Sequence, residues 1–196
     1  MKNLSILFFT LLLAGCAAFT SKSAQDYLAK SEMYYKTGNL KASWKEAQKA
    51  LKKEPSAISA YGIMGSILYD QGNYDQAIKY FEVLYKAGDR RSETLSALGA
   101  AYASKGDFEK ASAYINEALK LNPSNLAALT TKGGIYYSLK DYQNALDIYT
   151  KALEILPSPV IYNARAAVYL QMGETDLALQ DYKSAGVSTE IIAGED

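Results

Sequence analysis

Small and large apolar residues recur along this chain at an interval close to 34 residues. The segment Asp-Phe-Glu-Lys-Ala that ends at Ala111 returns as Asp-Tyr-Gln-Asn-Ala ending at Ala145, 34 residues later. Steps of about the same length reach Ala77, Ser43 and Ala178. Five copies follow, at residues 24–57, 58–91, 92–125, 126–158 and 159–190. Such a period is typical of repeat architectures in which each copy is one supersecondary unit.

Each copy carries the pattern of two helices joined by a tight turn. Small residues stand where two helices approach closely: Ser31, Gly65, Gly99, Gly133 and Ala166. Large residues follow three positions later: Tyr34, Leu68, Tyr102, Tyr136 and Tyr169. The left-handed position that ends the first helix holds Gly38, Gly72, Gly106 and Gly173, with Lys140 in the fourth copy. The next position holds favourable N-caps at Asn39, Asn73, Asp107 and Asp141, whereas the fifth copy holds Glu174, which is not a favoured N-cap.

The period and the order of small and large positions resemble the tetratricopeptide repeat (TPR) family, and the resemblance covers residues 24–190. It implies an all-α solenoid of about five helix-turn-helix repeats that stack in a right-handed superhelix. Since one repeat cannot bury its apolar face alone, stacking supplies the core. The first helices of the repeats would line a groove, and the function would be to bind other proteins.

The groove positions of the family fall mostly on small, polar and nearly uncharged residues in this chain. The candidate peptide-binding residues are Tyr35, Ser66, Tyr69, Ala100, Thr130, Tyr137 and Asn163, and the same set of positions also holds Ala103, Ser104, Gly134 and Ser138. A lining of small polar residues with tyrosine anchors suits an extended or helical peptide segment. The alternative is that these tyrosines pack on neighbouring helices.

The amino terminus has the pattern of a secretory signal. A positive start at Lys2 precedes an almost wholly apolar run over residues 4–13, which is too short to span a bilayer comfortably. The sequence Leu-Ala-Gly-Cys that ends at Cys16 resembles the bacterial lipobox. The resemblance implies a lipoprotein signal peptide at residues 1–15, lipidation of Cys16 and a short tether over residues 16–23. The alternative is a general signal peptide with a chance cysteine.

The composition excludes several kinds of catalytic site. The chain has no histidine and one cysteine, so it has no Ser-His-Asp triad, Cys-His pair, histidine-ligated metal or internal disulfide. Its 21 basic and 21 acidic residues balance, which gives no general attraction to nucleic acid. We therefore expect a protein that is not an enzyme, needs no cofactor or metal, and binds proteins rather than nucleic acid or small-molecule substrates.

The repeat and the lipobox together predict a membrane-anchored binding protein. Small TPR lipoproteins of pilus systems, the type IV pilotin and its counterpart in tight-adherence (Flp) pili, resemble this arrangement. That resemblance implies a scaffold that assists assembly of an envelope machine such as a pilus or secretin system. The alternative is an adaptor that recruits peptidoglycan hydrolases. In the Gram-negative lipoproteins that this chain resembles, an Asp directly after the cysteine tends to retain the protein in the inner membrane. The Ala17 of this chain therefore favours the periplasmic face of the outer membrane.

The carboxyl terminus leaves two outcomes open. TPR arrays usually close with an extra polar helix, but only ten residues follow Gly186 here, of which residues 191–196 are expected to form a tail. Val187, Ile191 and Ile192 would fold back as a small lid, or the last apolar face would stay open. An open face would favour a homodimer or another protein partner.

Overall fold

The fold consists of helical hairpins that follow one another along the chain. The computed structural model describes residues 22–187, and within that range it contains ten α-helices and no strand. The helices are α1 (Ala24–Lys36), α2 (Leu40–Lys53), α3 (Ser59–Asp70), α4 (Tyr74–Lys86), α5 (Ser92–Lys105), α6 (Phe108–Leu121), α7 (Leu126–Ser138), α8 (Tyr142–Ile155), α9 (Pro159–Met172) and α10 (Thr175–Ser184). The predicted all-α repeat fold is therefore confirmed.

Some predicted features lie outside the described residues. These are the signal peptide at residues 1–15, the lipidation site at Cys16 and the tail at residues 191–196. Among the helices of residues 22–187, none combines the length and the apolar character that crossing a bilayer requires.

Among the described residues, 22–63 and 64–187 form two compact units. In the first unit, α1 packs along α2. In the second, α5 packs between α4 and α6, α7 between α6 and α8, and α9 between α8 and α10. Successive first helices also touch, α5 with α7 and α7 with α9. Side chains of α5 and α7 therefore lie beside one another on one surface of the second unit.

The small positions are the points of closest approach within the hairpins. A Cβ atom built on Gly99 would lie 2.6 Å from Ile115 Cδ1, and one on Gly133 would lie 2.6 Å from Tyr149 Cε1. Both distances are shorter than two carbon atoms tolerate, so these positions accept only glycine without a shift of the facing side chain. The predicted role of the small residues is confirmed at these two contacts.

The first hairpin makes its close contact with polar atoms. The Ser31 hydroxyl donates a hydrogen bond to the Ser43 carbonyl at 2.8 Å, and the Ser43 hydroxyl donates to the Ser31 carbonyl at 2.8 Å. Both residues are fully buried. Because buried hydroxyl groups are destabilising when they lack partners, this reciprocal pair allows serine to replace glycine and alanine there.

Side-chain caps begin several of the second helices. Asn39 accepts a hydrogen bond from the Ala42 amide, Asp107 from Lys110, and the backbone of Asn144 donates to Asp141 in the same way. Asn73 also stands at a helix start, but its side chain makes no cap hydrogen bond. Capping by Asn73, which its residue type predicts, is therefore absent.

The turn positions adopt the left-handed conformation expected of them. Gly106 has φ 87° and Gly173 has φ 81°. Lys140 occupies the equivalent position of the fourth hairpin with φ 61°, although lysine carries a Cβ atom. The turn geometry of the repeat therefore prevails over the preference of the residue.

Candidate protein-binding surface

A cavity of about 230 Å³ opens between the first helices of the second unit. It is lined by Tyr69, Ala100, Ala103, Ser104, Phe108, Thr131, Gly134, Ile135 and Ser138. Two of the seven predicted site residues, Tyr69 and Ala100, border it. No lining side chain carries a charge, so the cavity suits an uncharged group of a ligand.

Tyr69 both packs on the protein and borders the cavity. Its ring centroid lies 5.4 Å from that of Tyr74, in a tilted arrangement. Its hydroxyl forms a 3.0 Å hydrogen bond with the Ser104 hydroxyl on the next first helix, α5. The side chain is half-buried, so the packing role and the lining role coexist.

Tyr137 repeats the packing of Tyr69 two hairpins along the chain. Its ring lies 5.9 Å from the Tyr142 ring, again tilted, and Tyr137 is half-buried. Tyr142 in turn donates a hydrogen bond to the Gln171 side chain over 3.4 Å. Tyr137 does not line the cavity, so the structure does not bring all the predicted tyrosines to one site.

The remaining predicted residues have separate surroundings. The Thr130 hydroxyl donates to the Leu126 carbonyl at 2.8 Å, which ties it to its own helix. The Asn163 Oδ1 atom is buried and accepts no hydrogen bond. Ser66 and Tyr35 are half-buried. Ser66 lies on α3 in the second unit, and Tyr35 lies on α1 in the first unit.

Three residues that line the cavity, Phe108, Thr131 and Ile135, are not among the groove positions predicted from the sequence. Phe108 begins α6 at the position that Tyr74 and Tyr142 hold in α4 and α8. This recurrence of an aromatic ring every 34 residues is a signal present in the sequence. Thr131 and Ile135 line the cavity because of the way α7 packs against α5, and the repeat pattern alone does not indicate this.

Other tyrosines join hairpins to one another. The Tyr114 ring stacks on Tyr102 at 5.7 Å and meets the edge of Tyr85 at 5.5 Å. The Tyr102 hydroxyl donates to the Glu82 carboxylate at 3.0 Å. Burial, followed by this carboxylate, raises the pKa of Tyr102 to about 12. The cluster joins α4, α5 and α6, which accounts for part of the high tyrosine content.

A second cavity, of about 200 Å³, lies between α9 and α10 beside an ion pair. Arg165 donates to Asp181 through Nε at 2.7 Å and through Nη2 at 2.8 Å, and its Nη1 donates to the Thr150 hydroxyl at 3.0 Å. Asp181 is 3% exposed. Its hydrogen bonds raise the pKa of Arg165. Because the pair is satisfied within the chain, its role is to hold α8, α9 and α10 together.

Across residues 22–187, no three or more histidine, cysteine, aspartate or glutamate side chains are grouped so that they could hold a metal ion. The polar groups at the first cavity are hydroxyls and backbone atoms. Such an arrangement offers hydrogen bonds and apolar contact to a bound segment.

These features define an all-α helical repeat fold like that of TPR arrays, and such a fold suggests a protein-interaction scaffold. Residues 28–91 match the family model for the tetratricopeptide repeat. Residues 70–152 match the model described as anaphase-promoting complex, cyclosome, subunit 3. No curated protein sequence matches the chain.

Solved structures share this fold at low sequence identity. TTC0263, a thermophilic TPR protein of Thermus thermophilus, is 23% identical with a TM-score of 0.75, over 87% of this chain and 94% of that one. YrrB, described as a TPR protein with an unusual peptide-binding site, is 20% identical with a TM-score of 0.60, over 87% and 89%. A chain of the APC/C hetero-tetramer Cut9-Hcn1 is 17% identical with a TM-score of 0.78, over 83% of this chain and 33% of that one.

Proposed function

We propose that this protein is a lipid-anchored scaffold, not an enzyme, that holds a segment of a partner protein while an envelope machine such as a pilus or secretin system assembles. The observation that carries the binding role is the uncharged cavity at the predicted groove positions Tyr69 and Ala100. An extended or helical segment gains affinity there by placing uncharged side chains among the first helices. The peptide-binding site described for YrrB supports the same use of the fold.

The anchor in this proposal is Cys16. A single acyl chain binds a membrane only marginally, whereas two or three chains hold a protein there stably. The Leu-Ala-Gly-Cys sequence supports lipidation, and Ala17 supports the periplasmic face of the outer membrane as the location. Residues 17–23 reach at most about 25 Å, so the repeats would work close to the lipid surface.

Site-specific crosslinking in cells tests the binding role. A photoreactive phenylalanine analogue replaces Thr130, a half-buried residue on the first helix α7, and in a matched variant it replaces Lys151, an exposed residue on the second helix α8. We expect crosslinks to subunits of an envelope assembly from position 130 and few from position 151. Crosslinks to peptidoglycan hydrolases would favour the adaptor function instead. Equal crosslinking from both positions, or none from position 130, would contradict a binding surface on the first helices.

A further inference from the structure

The cavity coincides with an interruption in a regular series of tyrosines. Tyr69 on α3 and Tyr137 on α7 hold equivalent positions two periods apart. The position midway between them, on α5, holds Ala103. Ala103 is one of the residues that line the cavity of about 230 Å³. The cavity therefore lies where the repeat pattern would place a tyrosine side chain.

The neighbouring hairpins show what that side chain would contact. Tyr69 pairs with Tyr74 at 5.4 Å and Tyr137 with Tyr142 at 5.9 Å, with interplanar angles of 57° and 54°. Phe108 is the counterpart of Tyr74 and Tyr142 in the hairpin between them. Within residues 22–187 Phe108 has no aromatic ring partner, and it lines the cavity.

Ser138 supplies a hydroxyl group at the position where a tyrosine at residue 103 would find a hydrogen-bond partner. The Tyr69 hydroxyl shares a hydrogen bond with Ser104 on the next first helix, at 3.0 Å. One period later the counterpart of Ser104 is Ser138, which also lines the cavity. Ser138 is exposed and its hydroxyl donates to the Gly134 carbonyl at 2.9 Å, so its oxygen still has a lone pair with which to accept.

We propose that this cavity is a subsite for a tyrosine side chain of the partner segment. This inference rests on the proposed protein-binding function. The partner's ring takes the place that Ala103 leaves vacant, packs on Phe108 and donates its hydroxyl proton to Ser138. An engineered apolar cavity of about 150 Å³ holds a benzene molecule, so a volume of about 230 Å³ accommodates a phenol ring. The uncharged lining matches a neutral side chain and disfavours a charged one.

Titration with p-cresol, the side-chain analogue of tyrosine, tests the subsite directly. Amide chemical shifts of the folded protein are followed by NMR as p-cresol is added. We expect saturable shifts centred on Ala103, Phe108 and Ser138, with a dissociation constant on the order of 1 mM. Shifts that do not saturate, or that spread evenly over the surface, would overturn the proposal.

Two variants place a tyrosine at equivalent positions of different hairpins. Ala103→Tyr restores the missing side chain and fills the cavity, so p-cresol should bind at least about tenfold more weakly. Leu170→Tyr introduces the same side chain at the equivalent position of α9, outside the cavity, and should leave binding unchanged. Unchanged p-cresol binding to a folded Ala103→Tyr protein would refute the inference. If that variant does not fold, the shift map of the unaltered protein decides the question.

A comparison with toluene tests the role of the hydroxyl group. The unaltered protein should bind p-cresol several-fold more tightly than toluene, and Ser138→Ala should remove most of that preference. Equal binding of both ligands to the unaltered protein would overturn the assignment to tyrosine.

Absence of p-cresol binding with intact crosslinking from position 130 would defeat this inference alone. Intact p-cresol binding without that crosslinking would defeat the proposed function alone.

Discussion

At the scale of single residues, Lys140 holds a conformation that its side chain disfavours. Its φ of 61° suits glycine, which occupies the equivalent turns. We predict that Lys140→Gly raises the free energy of unfolding by about 0.5–1 kcal/mol, because the left-handed conformation is unfavourable for a residue with a Cβ atom. Urea denaturation measures the change.

The control for Lys140→Gly is the opposite kind of substitution, glycine to alanine, in an equivalent turn that has space for the added methyl group. Gly106 has φ 87°, and nothing lies within 4 Å of a Cβ atom built there. Gly106→Ala should therefore lower the free energy of unfolding by about 1 kcal/mol through backbone conformation alone. A stabilised Gly106→Ala protein would show that the turn conformation is not what limits stability at these positions.

Asp89 gives folding a dependence on acid pH. Its carboxylate accepts hydrogen bonds from the Arg91 backbone and guanidinium and from the Thr94 hydroxyl. Arg91, more than any other group, lowers the pKa of Asp89 to about 2. Because the pKa is lower in the folded protein, the stabilisation is complete above about pH 4 and is lost as the pH falls toward 2.

We predict that Asp89→Asn lowers the free energy of unfolding by about 1–2 kcal/mol at pH 7, and by much less at pH 2. Thermal melts of both proteins across this range measure the difference. Asp26→Asn is the comparison. Asp26 is exposed, and its carboxylate accepts a hydrogen bond from the Ser23 backbone at the start of α1. A deficit of Asp89→Asn that stays constant with pH would contradict the assignment of this titration to Asp89.

At the scale of the helices, two adjacent glycines of α7 differ in how closely they approach the Tyr149 side chain of α8. A Cβ atom on Gly133 would lie 2.6 Å from Tyr149 Cε1, whereas one on Gly134 would have as its nearest atom Tyr149 Oη, at 3.7 Å. We predict that Gly133→Ala lowers the free energy of unfolding by about 1–3 kcal/mol through overpacking. Gly134→Ala should raise it by up to about 1 kcal/mol, because alanine favours the helix.

Circular dichroism melts of the two alanine variants give the comparison. Both variants change a helical glycine to alanine, so the difference in helix propensity cancels and only the contact with Tyr149 remains. Equal stabilities would mean that Tyr149 moves aside without loss, and that α7 and α8 do not need glycine for their approach.

At the scale of the whole molecule, the repeat period predicted the fold because its signals are local. Gly99 and Gly133 mark helix contacts, and Asp107 and Asp141 mark helix starts, each readable from its neighbours along the chain. Lys140 shows that the period also predicts a turn where the residue type does not.

The candidate site was predicted only in part, because it depends on contacts between hairpins. Tyr69 and Ala100 were placed on the surface by the repeat register, but the cavity arises from Ala103 and Phe108 together. The Arg165–Asp181 pair likewise needs α8, α9 and α10 in place before the two charges meet. Periodicity gives each residue its position in a repeat, and packing between repeats decides what that position contacts.

Cys16 connects the repeat array to the membrane in the proposed function. Cys16→Ser removes the thiol that the proposed acylation requires, so we expect the protein to leave the envelope pellet and appear in the fraction not bound to membranes. Immunoblots of fractionated cells measure the distribution. Ala17→Asp is the matched control, since it keeps the cysteine and should shift the protein from the outer toward the inner membrane without releasing it. Sedimentation of Cys16→Ser with the membranes, as for the unaltered protein, would show that an interaction other than acylation holds this scaffold at the envelope.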